Sequence, residues 1–104
     1  MAIEYYKKML AQNEYILSKQ FLRSATSIGA NVNEASAAQS RKDFISKMSI
    51  ASKEARETKY WITLLERSQI VDLDWTKTKQ EIDEIKRILT SIVKTASENE
   101  LIKN

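Results

Sequence analysis

Three glutamates are the residues in this chain whose types and spacing best suit chemistry: Glu34, Glu54 and Glu57. Glu54 and Glu57 are one helical turn apart and so share a face, while Glu34 belongs to the preceding apolar-patterned segment. A pair of carboxylates brought together across two helices is the minimum for acid–base hydrolysis. The weightier reading is architectural: the three accept hydrogen bonds from Arg23, Asn31, Arg56 or backbone groups and fix helix register, as polar groups inside bundles can.

The rest of the inventory narrows the chemistry further. With no His, neither a Ser-His-Asp hydrolase nor a His-ligated zinc or di-iron site can be built, and with no Cys there is no thiolate nucleophile or disulfide. Gly29 is the only glycine, so neither a Walker loop nor a dinucleotide-binding turn is available. No catalytic residue, metal or cofactor is expected, and the chain reads as a non-enzyme.

Cations offer a different function. Arg41, Lys42, Lys47, Lys53, Arg56 and Lys59 gather at one junction and along the segment after it, followed by Arg67, and they are the candidate contacts to a polyanion. Asp43, Glu54, Glu57 and Glu66 interleave with them, so an ordinary solvated helix face is the competing account. Tyr60, Trp61 and Trp75 can stack on bases, although their positions also suit packing. The formal charge of +3, from 17 basic and 14 acidic residues, is modest.

All these groups must be positioned by helices. A chain of 104 residues with no proline and one glycine lacks the turn residues of a β architecture, and its length suits a single domain spanning 1–104. The spacing predicts helices over about 2–11, 14–38, 41–68 and 72–97. The first is short and carries Ile3, Tyr6 and Leu10, and Asn13 breaks it or caps the next. The second carries Leu17, Phe21, Ala25, Ile28, Val32 and Ala35 at alternating steps of four and three. The third starts at a capping-box pattern, Ser40 with Asp43, and carries Phe44, Met48, Ala51, Ala55, Thr58, Ile62 and Leu65. Asp72 or Asp74 caps the fourth, with Trp75, Ile82, Ile85, Leu89, Ile92 and Ala96 in one register and a frayed tail after about 97.

Such periods with short connections predict an all-α, antiparallel up-down four-helix bundle. Within it, Gly29 admits two readings. It is the turn of a helix-turn-helix, or it allows another backbone to approach a smooth face; the unbroken apolar stripe favours the second. No signal-like or membrane-spanning apolar run occurs, so a soluble, cytoplasmic protein without membrane association is expected.

The runs LRSATSIGANVNEA (22–35), SRKDFISKMSIASKEARETKYWITLL (40–65) and RILTSIVKT (87–95) resemble the four-helix-bundle proteins encoded in intervening sequences of bacterial large-subunit ribosomal RNA genes. Related to these is the accessory variability determinant of diversity-generating retroelements, a basic, barrel-shaped homopentamer that engages a reverse transcriptase and nucleic acid. The family motif falls here on Arg23, Ser27, Ile28, Asn31, Glu34, Asp43, Phe44, Glu54, Glu57 and Trp61. Most of these are expected to determine fold or assembly, with Arg23, Ser27, Asn31, Glu34, Asp43, Glu54 and Glu57 forming a structural polar motif.

The resemblance implies a ring-shaped homo-oligomer, a pentamer, in which five copies of +3 carry +15 and a diluted cationic strip repeats around the particle. It further implies an adaptor whose partners are structured RNA or a nucleic-acid enzyme such as a reverse transcriptase. The alternative is a protein-binding structural module without nucleic-acid affinity. Family members carry a longer first helix than the one read here, so part of the groove between the second and fourth helices is expected to lie uncovered, to be closed by assembly or by a partner.

Overall fold

Periods of three and four, uninterrupted by proline, give each long segment an apolar side to bury as a helix. The computed structural model describes residues 2–103 and has four helices and no strand among them: α1 (Ala2–Ala11), α2 (Leu17–Ser36), α3 (Arg41–Ser68) and α4 (Thr76–Lys103). They form a four-helix bundle, a rod with principal extents of 52 × 21 × 17 Å.

The core follows steps of seven. Phe21, Ile28 and Ala35 of α2 are buried, as are Ile82, Leu89 and Ala96 of α4, which continue the spacing of Trp75 just before it. Met48, Ala51, Ala55, Ile62 and Leu65 of α3 lie between these two rows, so α3 is the central helix and touches both long neighbours. Cross-helix partners run in reverse order: Arg23 with Glu57 and Glu34 with Lys47 between α2 and α3, then Lys59 with Asp83 and Glu66 with Lys79 between α3 and α4.

Local chemistry sets the boundaries. Ser40 Oγ accepts the Asp43 N–H at 3.0 Å to start α3, and Gln69, left-handed at φ 55°, ends it. Asp74 accepts the Thr76 N–H at 3.0 Å ahead of α4. This bond holds the Asp74 carboxyl below its usual range, backbone and side-chain hydrogen bonds from Thr76 being the leading causes.

Three boundaries differ from the sequence reading by more than two residues. α4 begins at Thr76 rather than near 72, because Asp74, not Asp72, accepts the first-turn N–H. α2 begins at Leu17 rather than near 14, because the Glu14 carboxylate accepts the N–H groups of Ile16, Leu17 and Ser18 at 3.0, 2.8 and 2.7 Å and does the capping itself. Asn13 takes the left-handed conformation, φ 66°, that ends the α1 turn. At the other end α4 continues to Lys103, past 97. Ala96 is still buried there, and Arg41 at the head of α3 reaches Glu100 at 3.7 Å.

α1 is tied to the connection between α3 and α4. Gln12 donates to the Asp72 carbonyl at 3.0 Å and accepts the Asp72 N–H at 2.6 Å, and the Tyr5 hydroxyl donates to the Asp74 carbonyl at 2.6 Å. Met9 is fully buried at this end, and Trp75 packs against Tyr5 and Phe21 with ring centroids 4.9 and 5.8 Å away.

Ten residues of helix span about 15 Å, against about 42 Å for the 28 of α4, so α1 covers only one end of the face shared by α2 and α4. The remainder is an open cleft of about 310 Å³ lined by Ala2, Ala25, Ile28, Gly29, Ile82 and Ile85 among others. Hence part of each apolar stripe is not core: Val32 is 38 % and Ile85 36 % exposed, and Ala25 and Ile92 are half-buried. Gly29 also corrects the sequence reading. α2 passes through it without a break, which removes the turn a helix-turn-helix needs, yet no atom lies within 4 Å of where its Cβ would stand. Within the chain, no backbone approaches it.

Candidate nucleic-acid interface on α3 and α4

The polar motif sorts by helix face. Arg23 of α2 reaches across to α3, pairing with Glu54 at 3.3 Å and with Glu57, while Trp61 Nε1 donates to Glu57 at 3.2 Å. Glu34 pairs with Lys47 at 3.1 Å. All three carboxylates singled out by spacing are therefore held in cross-helix ion pairs, and Glu54 and Glu57 are joined through one guanidinium. Ser27 and Asn31 bond to each other instead: Asn31 Nδ2 donates to the Ser27 carbonyl at 2.9 Å and to its hydroxyl at 3.2 Å. Asp43 serves the cap through its backbone.

This pairing divides the six candidate cations. Arg41, Lys47 and Lys59 are engaged, with Glu100, Glu34 and Asp83. Lys42, Lys53 and Arg56 are exposed and have no carboxylate partner among the described residues, and the same holds for Arg67. At 100° per residue, positions 42, 53, 56 and 67 fall within one narrow stripe, on the side of α3 away from α2. The acids Glu54 and Glu57 lie toward α2, so the interleaving visible in sequence resolves into two faces of one helix.

A second set of cations, missed in the sequence reading, lies on α4. Lys86, Arg87 and Lys94, with the hydroxyls of Thr90 and Ser91, line a shallow depression, and none of the three cations has a carboxylate partner among the described residues. In sequence this run, KRILTSIVK, reads as a core stripe; its polar positions carry the signal, recurring at four-residue steps from Lys86 through Thr90 to Lys94. The Lys59–Asp83 pair, 2.5 Å, aligns the two helices. Stepping back from Lys59 on α3 and forward from Asp83 on α4 brings Arg56 level with Lys86 and Lys53 level with Leu89, the residue before Thr90.

Asp83 is the acid inside this surface. The hydrogen bond from Lys59 holds its carboxyl below the ordinary value of 3.8, opposed by partial desolvation and helped by the charges of Lys59, Lys86 and Arg87. That pair is locally neutral, and seven cations without acidic partners among the described residues share the surface with it: Lys42, Lys53, Arg56 and Arg67 on α3, and Lys86, Arg87 and Lys94 on α4.

Among the described residues, no group of three or more His, Cys, Asp or Glu side chains is placed to hold a metal ion, and no helix is long and apolar enough to cross a membrane. No protein of curated function matches the chain. A crystal structure at 1.70 Å of a protein of unknown function from the S23 ribosomal protein family, from Bacteroides thetaiotaomicron VPI-5482, is 46 % identical. The match covers 89 % of this chain and 88 % of that one, with a TM-score of 0.84. The model of the 23S rRNA-intervening sequence protein family matches residues 1–91. The fold and these matches agree, and the chain belongs to the 23S rRNA-intervening sequence protein family.

Proposed function

We propose that this protein is a non-enzymatic, cytoplasmic RNA-associated adaptor: an antiparallel up-down bundle that assembles into a ring, a pentamer, and contacts structured RNA through the outer face of α3 and α4. The observation that carries the reading is the segregation of charge. Lys42, Lys53, Arg56, Lys86, Arg87 and Lys94 lie free on one side, whereas Glu34, Glu54 and Glu57 are committed to ion pairs on the other. Phosphates would replace the counterions of such a face, and repetition around a ring would make weak single-chain contacts multivalent. The reverse order of the ion pairs along neighbouring helices supports the up-down arrangement. The partner class extends to a nucleic-acid enzyme, such as a reverse transcriptase, delivered to the same RNA.

The test is native mass measurement of the purified protein with structured RNA, followed by binding across a salt series. Assembly with RNA, weakening steeply as salt rises and lost on charge reversal at Lys53, Arg56, Lys86 and Arg87, is the expected result. No association at low salt rejects the reading.

The open cleft between α2 and α4 favours a second reading, a protein-binding structural module. Its lining is mostly apolar and its α2 wall carries no charge from Ser24 to Asn33. Association through this cleft would be insensitive to salt and would survive the charge reversals.

A further inference from the structure

Tyr60 combines three properties that packing does not require of it. Its ring is 59 % exposed, although burial of an aromatic ring is favourable and the neighbouring Trp61 is half-buried. Position 60 falls inside the angular stripe of Lys42, Lys53, Arg56 and Arg67, one turn from Arg56. The phenol, like that of Tyr6, has no acceptor among the described residues, whereas the Tyr5 and Tyr15 hydroxyls donate to the Asp74 carbonyl and to Asn13 Oδ1.

The ring is nonetheless held. Trp61 packs edge-on against it, with centroids 5.0 Å apart and planes at 70°. Trp61 is in turn fixed by its bond to Glu57, and Glu57 by Arg23 of α2. This chain of contacts orients an exposed aromatic face before any ligand arrives, so less side-chain freedom is lost on binding. The same contacts occupy the carboxylate of Glu57, one turn before the ring in sequence, which would otherwise repel a phosphate.

We propose that Tyr60 is a stacking platform for an unpaired nucleobase, so that the RNA engaged by the α3–α4 face is bound at a single-stranded loop, bulge or end. The inference rests on the RNA-binding reading of that face. A duplex keeps its bases stacked on one another and offers the ring little but backbone, whereas a splayed base can lie flat on it while Arg56, Lys53 and Arg67 take the flanking phosphates.

The experiment uses the full chain and short RNA oligonucleotides, one single-stranded with a 2-aminopurine and one an unlabelled duplex of matching length. Wild type and Tyr60→Phe are expected to bind the single strand more tightly than the duplex and to change 2-aminopurine emission on binding. Tyr60→Leu should lose about tenfold in affinity for the single strand, the effect of one stacked base, along with the emission change, and keep its duplex affinity. Equal binding of the single strand by wild type and Tyr60→Leu, or equal losses on both RNAs, would overturn the platform while leaving the cationic face intact. Absence of salt-sensitive binding of either RNA by the wild type would overturn the cationic face and the platform together.

Discussion

The hydroxyl oxygens of Ser24 on α2 and Thr58 on α3 lie 2.9 Å apart in the interior, where both side chains are buried. Each also meets its own helix, Ser24 at the Phe21 carbonyl and Thr58 at the Glu54 carbonyl, 3.2 and 2.8 Å away. The pair stitches α2 to α3 beneath the Arg23 ion pairs. Thr58→Val keeps the shape and removes the hydroxyl, and it should destabilise by about 1 kcal/mol, since Ser24 retains a backbone acceptor. Adding Ser24→Ala should cost less in that background than alone. Urea midpoints of the two single variants and the double variant check the coupling.

Glu14 carries the start of α2. Its carboxylate gathers three backbone N–H groups that no other residue serves, so Glu14→Ala should destabilise by about 1–2 kcal/mol, with Glu14→Gln between the two. Thermal unfolding followed by circular dichroism reads this directly.

This cap marks where the sequence became hard to read. Ser40 and Asp74 are short side chains of the kinds that cap helices; the start of α3 was legible from Ser40, whereas Asp72 and Asp74 competed for α4 and a start at 72 falls four residues early. Glu14 is not such a residue, and its capping depends on the turn at Asn13 that folds its longer side chain back over the first N–H groups. The end of α4 was hidden for another reason. Its last apolar core position is Ala96, and the turns beyond it pair with α3 through Arg41 and Glu100, a contact between residues far apart in the chain. The candidate site was half legible. Lys53 and Arg56 stand out by spacing, but only the alignment set by Lys59 and Asp83 puts Arg56 level with Lys86.

Acid should loosen the α3–α4 contact. The carboxyl of Asp83 is depressed in the folded chain, chiefly by the hydrogen bond from Lys59, so its contribution is complete above the unfolded value, near 3.8, and is lost as pH falls through the lower folded value. Stability measured at falling pH should therefore drop less in Asp83→Asn than in wild type between about pH 4 and pH 2. An identical slope in both chains would show that the pair contributes nothing in solution.

Cations that look alike in sequence should behave differently. Lys47→Ala removes a charge already engaged by Glu34 and should scarcely alter RNA affinity, whereas Lys53→Ala and Lys86→Ala remove charges free to meet phosphate. Each of the latter should lower the slope of log affinity against log salt by about 0.7–0.9 if it makes one contact. Equal effects from all three would contradict the division into paired and unpaired groups.

Gly29 offers a test of the proposed assembly. It has negative φ, sits inside α2 and faces open space, so Gly29→Ala should stabilise the isolated chain by up to about 1 kcal/mol. A larger residue, Gly29→Leu, should leave the monomer helical yet reduce its assembly, as read by native mass or sedimentation. Unchanged stoichiometry in Gly29→Leu would rule out assembly through this face of α2.

The two indoles of this chain sit in unlike surroundings, one enclosed by α1 and the following turn with its N–H lacking an acceptor, the other half in solvent beside the cationic stripe. The protein thus carries two built-in optical reporters. Blue-shifted emission from Trp75 would follow the seating of the first helix, and red-shifted emission from Trp61 would follow what arrives at Tyr60. With either replaced by Phe, the remaining signal belongs to one indole's surroundings, and the order of docking and ligand capture becomes readable without an attached dye.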